Sequence, residues 1–364
     1  MKIDFGKFII KFLLLNKRIE KSEFVNSDEF ENVCFFSNSA IGDTLFNTPI
    51  FRAFKQNFPN KKAVAVLDPR NYVLFKNDPN LDEIILYRNK WRNFFQTAKI
   101  LKNKKIDAVF ILHSNEPQAT PLAVFSGAKY IFKLPNLHNE FNKFHSNSPS
   151  DENLNEYVVQ RRLNQLKFIG IDSSDTKMQI FFDDSDFSGV NEIFENSKEF
   201  KFIGFQMGAS VVSRQWIFEY WAELAKMLLK HENIKIILTG SPGERKITDR
   251  LEQILGSDRV LNLAGNFNLR KSAALISKLD LFITPDTGPF HIAIATKTPT
   301  ISLYGSSNHK EVYPNYDQEF HKFIQKPIIC KLCEDRKCIC QKGMRQIKPS
   351  EVYEKIKEFD LFND

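Results

Sequence analysis

The stretch Leu281 to Ala295, L-F-I-T-P-D-T-G-P-F-H-I-A-I-A, constrains the fold of this chain more than any other. Its opening run, Leu281-Phe282-Ile283, suits a strand covered on both faces. The run breaks at Pro285, turns through Asp286-Thr287-Gly288 and restarts at Pro289 with a helical pattern through Ile292 and Ala295. Proline is favoured just inside a helix start, where its missing N–H would have no partner. A strand that turns through glycine into a helix leaves backbone N–H groups and a positive dipole end pointing outward, a site suited to phosphate. His291 lies early enough in the helix to face that spot. The plainer reading is an ordinary strand–turn–helix with Asp286 or Thr287 as N-cap.

The same alternation recurs along the chain. Strands are expected at 31–36, 63–67, 82–87, 108–112 and 130–132, with a Gly-containing turn and helix after the first and an aromatic-rich helix over 91–101. A loop rich in Asn, His, Ser and Pro follows at 135–150, then a helix over 152–168 and a strand over 178–182. The polar segment 183–199 reads as a linker. Beyond it come strands at 202–206, 234–239 and 260–263, helices at 216–229, 243–255 and 268–277, the opening stretch, and a last strand at 300–304. Alternating strands and helices of these lengths imply α/β architecture: two doubly wound, Rossmann-like parallel sheets whose strand ends share a cleft.

With 364 residues, 42% hydrophobic and 26% charged, the chain has material for two domains with full cores. Thirty-five Phe beside abundant Lys and Asn point to a composition-biased genome, so a Phe stripe carries little functional weight here. The net charge of +7 is not accompanied by a basic run interleaved with stacking aromatics, and no nucleic-acid partner is expected. The excess suits anionic small molecules or an anionic membrane surface. Residues 1–30 read as a basic amphipathic leader helix. Its apolar core, Phe8 to Leu15, is broken by Lys11 and too short to span a bilayer, and no small-residue cleavage site follows it. Two readings stay open for it: lying on an anionic leaflet, or packing on the protein body. Cys34 reads as a core residue. The remaining four cysteines form C-K-L-C-E-D-R-K-C-I-C, and a reducing compartment, the default expectation here, disfavours disulfides among them.

Seven segments, in order, carry a resemblance: I-G-D-T-L-F-N-T-P-I-F-R-A-F; D-P-N-L-D-E-I-I; M-G-A-S with S-R-Q-W; L-T-G-S-P-G-E; N-L-A-G-N-F-N-L; P-D-T-G-P-F-H-I-A-I-A; and P-T-I-S-L-Y-G-S-S. Together they resemble the bacterial heptosyltransferases of lipopolysaccharide core assembly, glycosyltransferase family 9. The resemblance implies the GT-B fold, with a domain at 31–185 for the acceptor, a domain at 186–348 for the nucleotide-sugar donor, and a C-terminal helix at 349–364 packing back on the body. It also implies inverting, metal-independent transfer of heptose from a nucleotide sugar, ADP-heptose first among them, to a lipid-linked core oligosaccharide. Such an enzyme would be cytoplasmic and peripheral to the anionic inner membrane, with no cofactor required.

Glycosyl transfer needs a base for the acceptor hydroxyl and a means to hold charge developing on the leaving pyrophosphate. Asp43, in the same Gly-Asp pair ahead of Thr-Pro as the family's catalytic aspartate, is the candidate base. It could instead cap the next helix, although Thr48 before Pro49 competes for that role. Thr287, Gly288 and His291, with Asp286 in their turn, are the phosphate-site candidates. Arg214 stands two before Trp216, where the family often has Lys, and can grip phosphate bidentately. Ser210 could bond a phosphate or sugar oxygen. Glu244 is similar to the family's ribose-binding carboxylate, or is simply a first-turn helix Glu. The tail cysteines Cys330, Cys333, Cys338 and Cys340 have a C-x2-C spacing that suits structural zinc, but the second pair is tight and Gly343 occupies the family's next Cys position. Reduced thiols are therefore preferred. A family member acting on another sugar, and a non-catalytic sugar-nucleotide-binding protein, are the rival readings.

Overall fold

The computed structural model describes residue 14 and residues 17–88, 91–113, 117–134, 136–150, 155–195, 197–305, 308–327 and 341–362. The chain divides into two compact units, Met1–Gln179 and Ile180–Asp364.

In the first unit, β1 (Asn32–Ser37), β2 (Lys62–Leu67), β3 (Glu83–Leu86), β4 (Ala108–Ile111) and β5 (Tyr130–Lys133) form one sheet in the order β3-β2-β1-β4-β5. Every neighbouring pair is parallel. Parallel neighbours require crossovers, and the crossing helices cover both faces. Side-chain alternation along β1 shows the result: Cys34 and Phe36 enter one apolar cluster with Phe94, Ala98 and Leu101 of the Phe94–Asn103 helix. Phe35 points the other way, its ring 5.5 Å from Phe51 and 5.4 Å from Phe54 of the Thr48–Asn57 helix. All four of Val33 to Phe36 are fully buried.

The second unit holds β6 (Lys201–Gln206), β7 (Ile234–Thr239), β8 (Val260–Asn262), β9 (Leu281–Pro285), β10 (Thr300–Tyr304) and β11 (His321–Gln325), ordered β11-β10-β9-β6-β7-β8 and again all parallel. Ile203 and Phe205 pack with Trp221 and Leu224 of the Phe218–Leu228 helix, and Val352 and Ile356 of the Pro349–Ile356 helix join the same cluster. Trp216 fixes the approach to that last helix by donating its Nε1 hydrogen to the carbonyl of Ile347 at 3.0 Å.

Four expectations need correction. Residues 171–183 contain no strand. The backbone of Gln179 donates to Thr48 Oγ1 at 3.1 Å and its side chain accepts from Arg52 at 3.0 Å, so side chains supply the partners a ladder would have supplied. The helix expected over 152–168 is α-helical only at Val158–Leu163 and tightens to 3-10 geometry over Asn164–Ile169. The polar segment after 183 is no free linker: buried Asp186 takes a two-pronged grip from Arg270, at 2.7 and 2.6 Å, which ties it to the second unit. Finally, β11 extends the sheet beyond β10, where H-K-F-I-Q gave little apolar signal.

Residues 1–13, 15 and 16 of the leader lie outside the described residues. Its stretch 17–30 holds a 3-10 turn at Ser27–Glu29 and no α-helix, so the helix expected over 1–30 does not include it. Backbone bonds from Ser22 to Ser146 and from Val25 to Phe168 hold this strap against the first unit. Among the described residues no helix is long and apolar enough to cross a membrane.

Each unit buries a histidine against a threonine. His145 Nε2 lies 2.9 Å from Thr120 Oγ1, and burial, then Lys133 and Lys21, lowers its pKa to about 3. His321 Nδ1 lies 3.1 Å from Thr300 Oγ1, and burial lowers it to about 4 against the pull of Asp317. Below the ordinary value of 6.5 the unfolded chain binds protons that these folded rings refuse, so their contribution to stability is lost as pH falls from 6.5 toward 4. Urea titrations at pH 7 and pH 5 should show the wild type losing more stability than a His145→Asn/His321→Asn variant; equal losses would contradict this.

Candidate active site

In each sheet the strand order reverses once, and there neighbouring loops leave in opposite directions and open a crevice at the strand C-termini. In the first unit the reversal lies between β1 and β4; in the second it lies between β6 and β9. Apart from Glu244, which follows β7, the candidate residues follow these strands.

After β1 the chain forms a short helix, Ile41–Leu45, with Asp43 in its first turn. The turn is braced from within: Thr44 Oγ1 donates to the carbonyls of Ser37 and Ala40, and Asn71 Nδ2 donates to that of Ser39 at 2.7 Å. Arg162 grips it from outside. Its Nη1 donates to the Asp43 carbonyl at 2.5 Å and to Asn47 Oδ1 at 2.8 Å, while Nη2 lies 3.5 Å from Asp43 Oδ1. The Arg162 side chain is 2% exposed, the Asp43 side chain 31%. On the other side, His113, just beyond β4, brings Nε2 to 3.5 Å from Asp43 Oδ2. Burial of the ring's protein side, then Arg162, lowers His113 to about 4 although Asp43 opposes the shift. Near neutral pH this histidine is therefore uncharged and adds no second cation. Asp43 caps no following helix: Thr48 Oγ1 turns back to the Leu45 carbonyl, and the helix from Thr48 starts at Asn47 without a side-chain cap.

In the second unit, β9 delivers Asp286 and the Gly288–Ala295 helix, whose N-cap Thr287 is extended and makes no side-chain capping bond. Pro289 has no N–H and that of Phe290 bonds to the Thr287 carbonyl at 3.0 Å, so the N–H of Gly288 is the one left for another acceptor. Across the reversal, Arg214 Nη1 lies 3.0 Å from Asp286 Oδ2 and 3.4 Å from the Asp286 carbonyl. His291 Nε2 lies 3.7 Å from Asp286 Oδ1. One buried carboxylate therefore collects both candidate phosphate donors.

Glu244, after β7, is anchored rather than loose. Its Oε1 accepts from Gln206 Nε2 at 2.9 Å, and its Oε2 accepts from the backbone and hydroxyl of Ser241 at 2.6 and 2.7 Å. The two bonds from Ser241 close a capping box on a 3-10 turn, and together with that from Gln206 they fix the carboxylate in place. Ser210 is exposed, and the structure shows no bond from it to the other candidates. The cysteines Cys330, Cys333, Cys338 and Cys340 lie outside the described residues. Among the described residues no three His, Cys, Asp or Glu are grouped to hold a metal.

Sequence reasoning missed His113, Arg162 and Gln206. His113 had a usable signal, since it directly follows an expected strand, but its meaning needed the strand order. Arg162 sits in a pattern that reads as an ordinary surface helix.

The profile of glycosyltransferase family 9 (heptosyltransferase) matches residues 95–343. The chain belongs to glycosyltransferase family 9. It is 27% identical over 292 residues to the lipopolysaccharide core heptosyltransferase OpsX of Haemophilus influenzae, covering 78% of this chain and 82% of that one. A crystal structure of a family 9 glycosyltransferase from Veillonella parvula superposes with a TM-score of 0.79 at 20% identity, covering 94% of this chain and 98% of the other. The E. coli ADP-heptose lps heptosyltransferase II gives 0.74 at 19% identity, over 90% and 98%. The family 9 chain thus has the GT-B type of architecture, two Rossmann-like α/β units, and is a glycosyltransferase.

The Gly208 position tests how tightly the crevice of the second unit is built. A Cβ there would stand 1.4 Å from Glu244 Oε1, so Gly208→Ala must displace the carboxylate or the loop. Nucleotide affinity measured by calorimetry should fall ~10-fold or more, the scale of losing a charge-assisted hydrogen bond. Unchanged affinity would remove Glu244 from the binding site.

Proposed function

We propose that this family 9 glycosyltransferase is an inverting, metal-independent heptosyltransferase that moves heptose from ADP-heptose to a lipopolysaccharide core acceptor, with Asp43 as the base. The observation that carries the reading is the state of Asp43: its turn is locked by a buried guanidinium while its carboxylate stays partly open at a strand-order reversal. A general base needs that combination of fixed direction and access. Asp43 takes the acceptor hydroxyl's proton, the oxygen bonds to the anomeric carbon of the sugar from the face opposite the nucleotide, and the bond to the pyrophosphate oxygen breaks. The leaving diphosphate is received by the uncapped helix start at Thr287 and Gly288 and by Arg214, with His291 close to the same carboxylate.

The donor and acceptor rest on kinship. The OpsX relative is described as a lipopolysaccharide core heptosyltransferase and the E. coli structure as an ADP-heptose enzyme. Within the class, another nucleotide sugar is the second reading, and thermal shifts with ADP-, GDP- and UDP-linked sugars rank the donors directly. We place the enzyme at the cytoplasmic face of the inner membrane, as a peripheral protein with the basic leader contributing to attachment.

Asp43→Asn should lower kcat ~10²- to 10⁴-fold with donor affinity retained. Turnover at the wild-type level would leave a binding protein, or a different base, as the better account. Arg214→Ala and Gly288→Val should each weaken donor binding, the second by placing a side chain where phosphate approaches backbone. If calorimetry shows normal binding in both, the phosphate site lies elsewhere. Activity should survive EDTA.

A further inference from the structure

The Phe94–Asn103 helix of the first unit has an inner face that the fold explains and an outer face that it does not. Phe94, Thr97, Ala98 and Leu101 recur at helical spacing and are buried under the sheet. Phe95 and Ile100, 56% and 39% exposed, stand on the two flanks of the outer face, with exposed Lys99 between them and exposed Arg92 and Lys102 beside Phe95, whose ring also rests edge-on against Phe94 and Phe125. Lys99 and Lys102 lie four and seven residues beyond Phe95 and so share its side of the helix. Half-buried Trp91, its ring 5.3 Å from Phe94, stands at the entry to the helix.

Charge is concentrated in the same place. Between Glu83 and Asp107 the sequence holds seven Lys or Arg and no carboxylate, as many cations as the net charge of the whole chain. The flanking acids are engaged: Glu83 with Lys104 at 2.7 Å, and Asp107 Oδ2 with the backbone N–H groups of Glu31 and Asn32 at 2.8 and 2.9 Å. No aromatic or aliphatic side chain gains by standing in water, and cations spaced around exposed apolar groups on a helix fit one surface best. A bilayer carrying anionic headgroups accepts the apolar side chains at the level of the glycerol and the cations at the level of the phosphate.

We propose that the outer face of the Phe94–Asn103 helix, with Arg92, Phe95, Lys99, Ile100 and Lys102, is a membrane-docking surface for an anionic leaflet, built into the acceptor unit itself and separate from the leader. The inference goes beyond the proposed heptose transfer and does not need it. Leu14 of the leader is buried in the cluster formed by the inner face of the same helix, so the docking helix and the leader share one part of the unit.

Sedimentation of the full chain with vesicles of phosphatidylcholine containing phosphatidylglycerol, against vesicles of phosphatidylcholine alone, tests this. The wild type should bind the anionic vesicles in a salt-sensitive way. Lys99→Glu/Lys102→Glu should cut partitioning ~10-fold or more. Phe95→Ser, which leaves the charge untouched, should cut it several-fold. Melting curves exclude unfolding, and turnover on a soluble, delipidated acceptor should stay at the wild-type level in both variants. Three results would overturn the proposal: variants that bind vesicles as the wild type does, which assigns attachment to the leader; loss in the charge variant with none in Phe95→Ser, which points to an acidic macromolecule; or no vesicle binding by the wild type. Inactivity of every form on the soluble acceptor would count against the heptosyltransferase reading and leave the vesicle result standing.

Discussion

All-parallel pairing is the constraint on which this molecule depends. A parallel sheet buries both faces, needs a helix at each crossover, and sends every strand out in the same direction. Once strands are added to both sides of the first one, some adjacent pair must send its loops apart, and a crevice forms there without any loop being designed for it. The first sheet reverses between β1 and β4, the second between β6 and β9. Asp43 and His113 follow the first pair; Arg214 and Asp286 follow the second. The polar groups that matter are therefore placed by topology, and the local sequence only decides what each loop presents.

The elements were largely legible because their signals are local. Runs such as Val33 to Phe36 and Leu281 to Ile283 could hardly be anything but buried strands, and the turn at Asp286-Thr287-Gly288 marked the helix start within a residue. What the sequence hid was non-local. The loss of a strand near Gln179 depends on Thr48 and Arg52, more than a hundred residues away. The tie between Asp186 and Arg270 turned a polar stretch that reads as linker into part of a core. Asp43 and Arg214 were found through motif order, whereas Arg162 and His113 have no motif and acquire meaning only beside Asp43.

Burying the Arg162 guanidinium is costly unless its hydrogens are satisfied. The chain meets part of that cost through Nη1, with a carbonyl and an amide oxygen from Asp43 and Asn47, and leaves the Asp43 carboxylate at the longer distance of 3.5 Å. That division suits the base we propose Asp43 to be. A tight bidentate pair would hold both carboxylate oxygens and resist protonation, and a base must accept a proton to act. Gripping the main chain instead fixes the direction of the side chain while leaving it free to react. The uncharged state of His113 works in the same sense, because a second cation would stabilise the carboxylate further.

On the proposed reading the second unit solves the opposite problem, keeping a cation ready for an anion that is not yet there. An unpaired arginine would wander, and its side-chain entropy would count against binding. Asp286, with a side chain only 5% exposed, holds Arg214 in advance. The choice of arginine over lysine then has a reason. Both contacts to Asp286 run through Nη1 alone, and a guanidinium has further donors fixed in the same plane. A lysine so engaged would give its single charged atom to Asp286, and an arriving diphosphate would have to compete for it. An arginine can keep its tether and still offer an edge, so a carboxylate that in isolation would repel phosphate becomes the group that aims the cation at it.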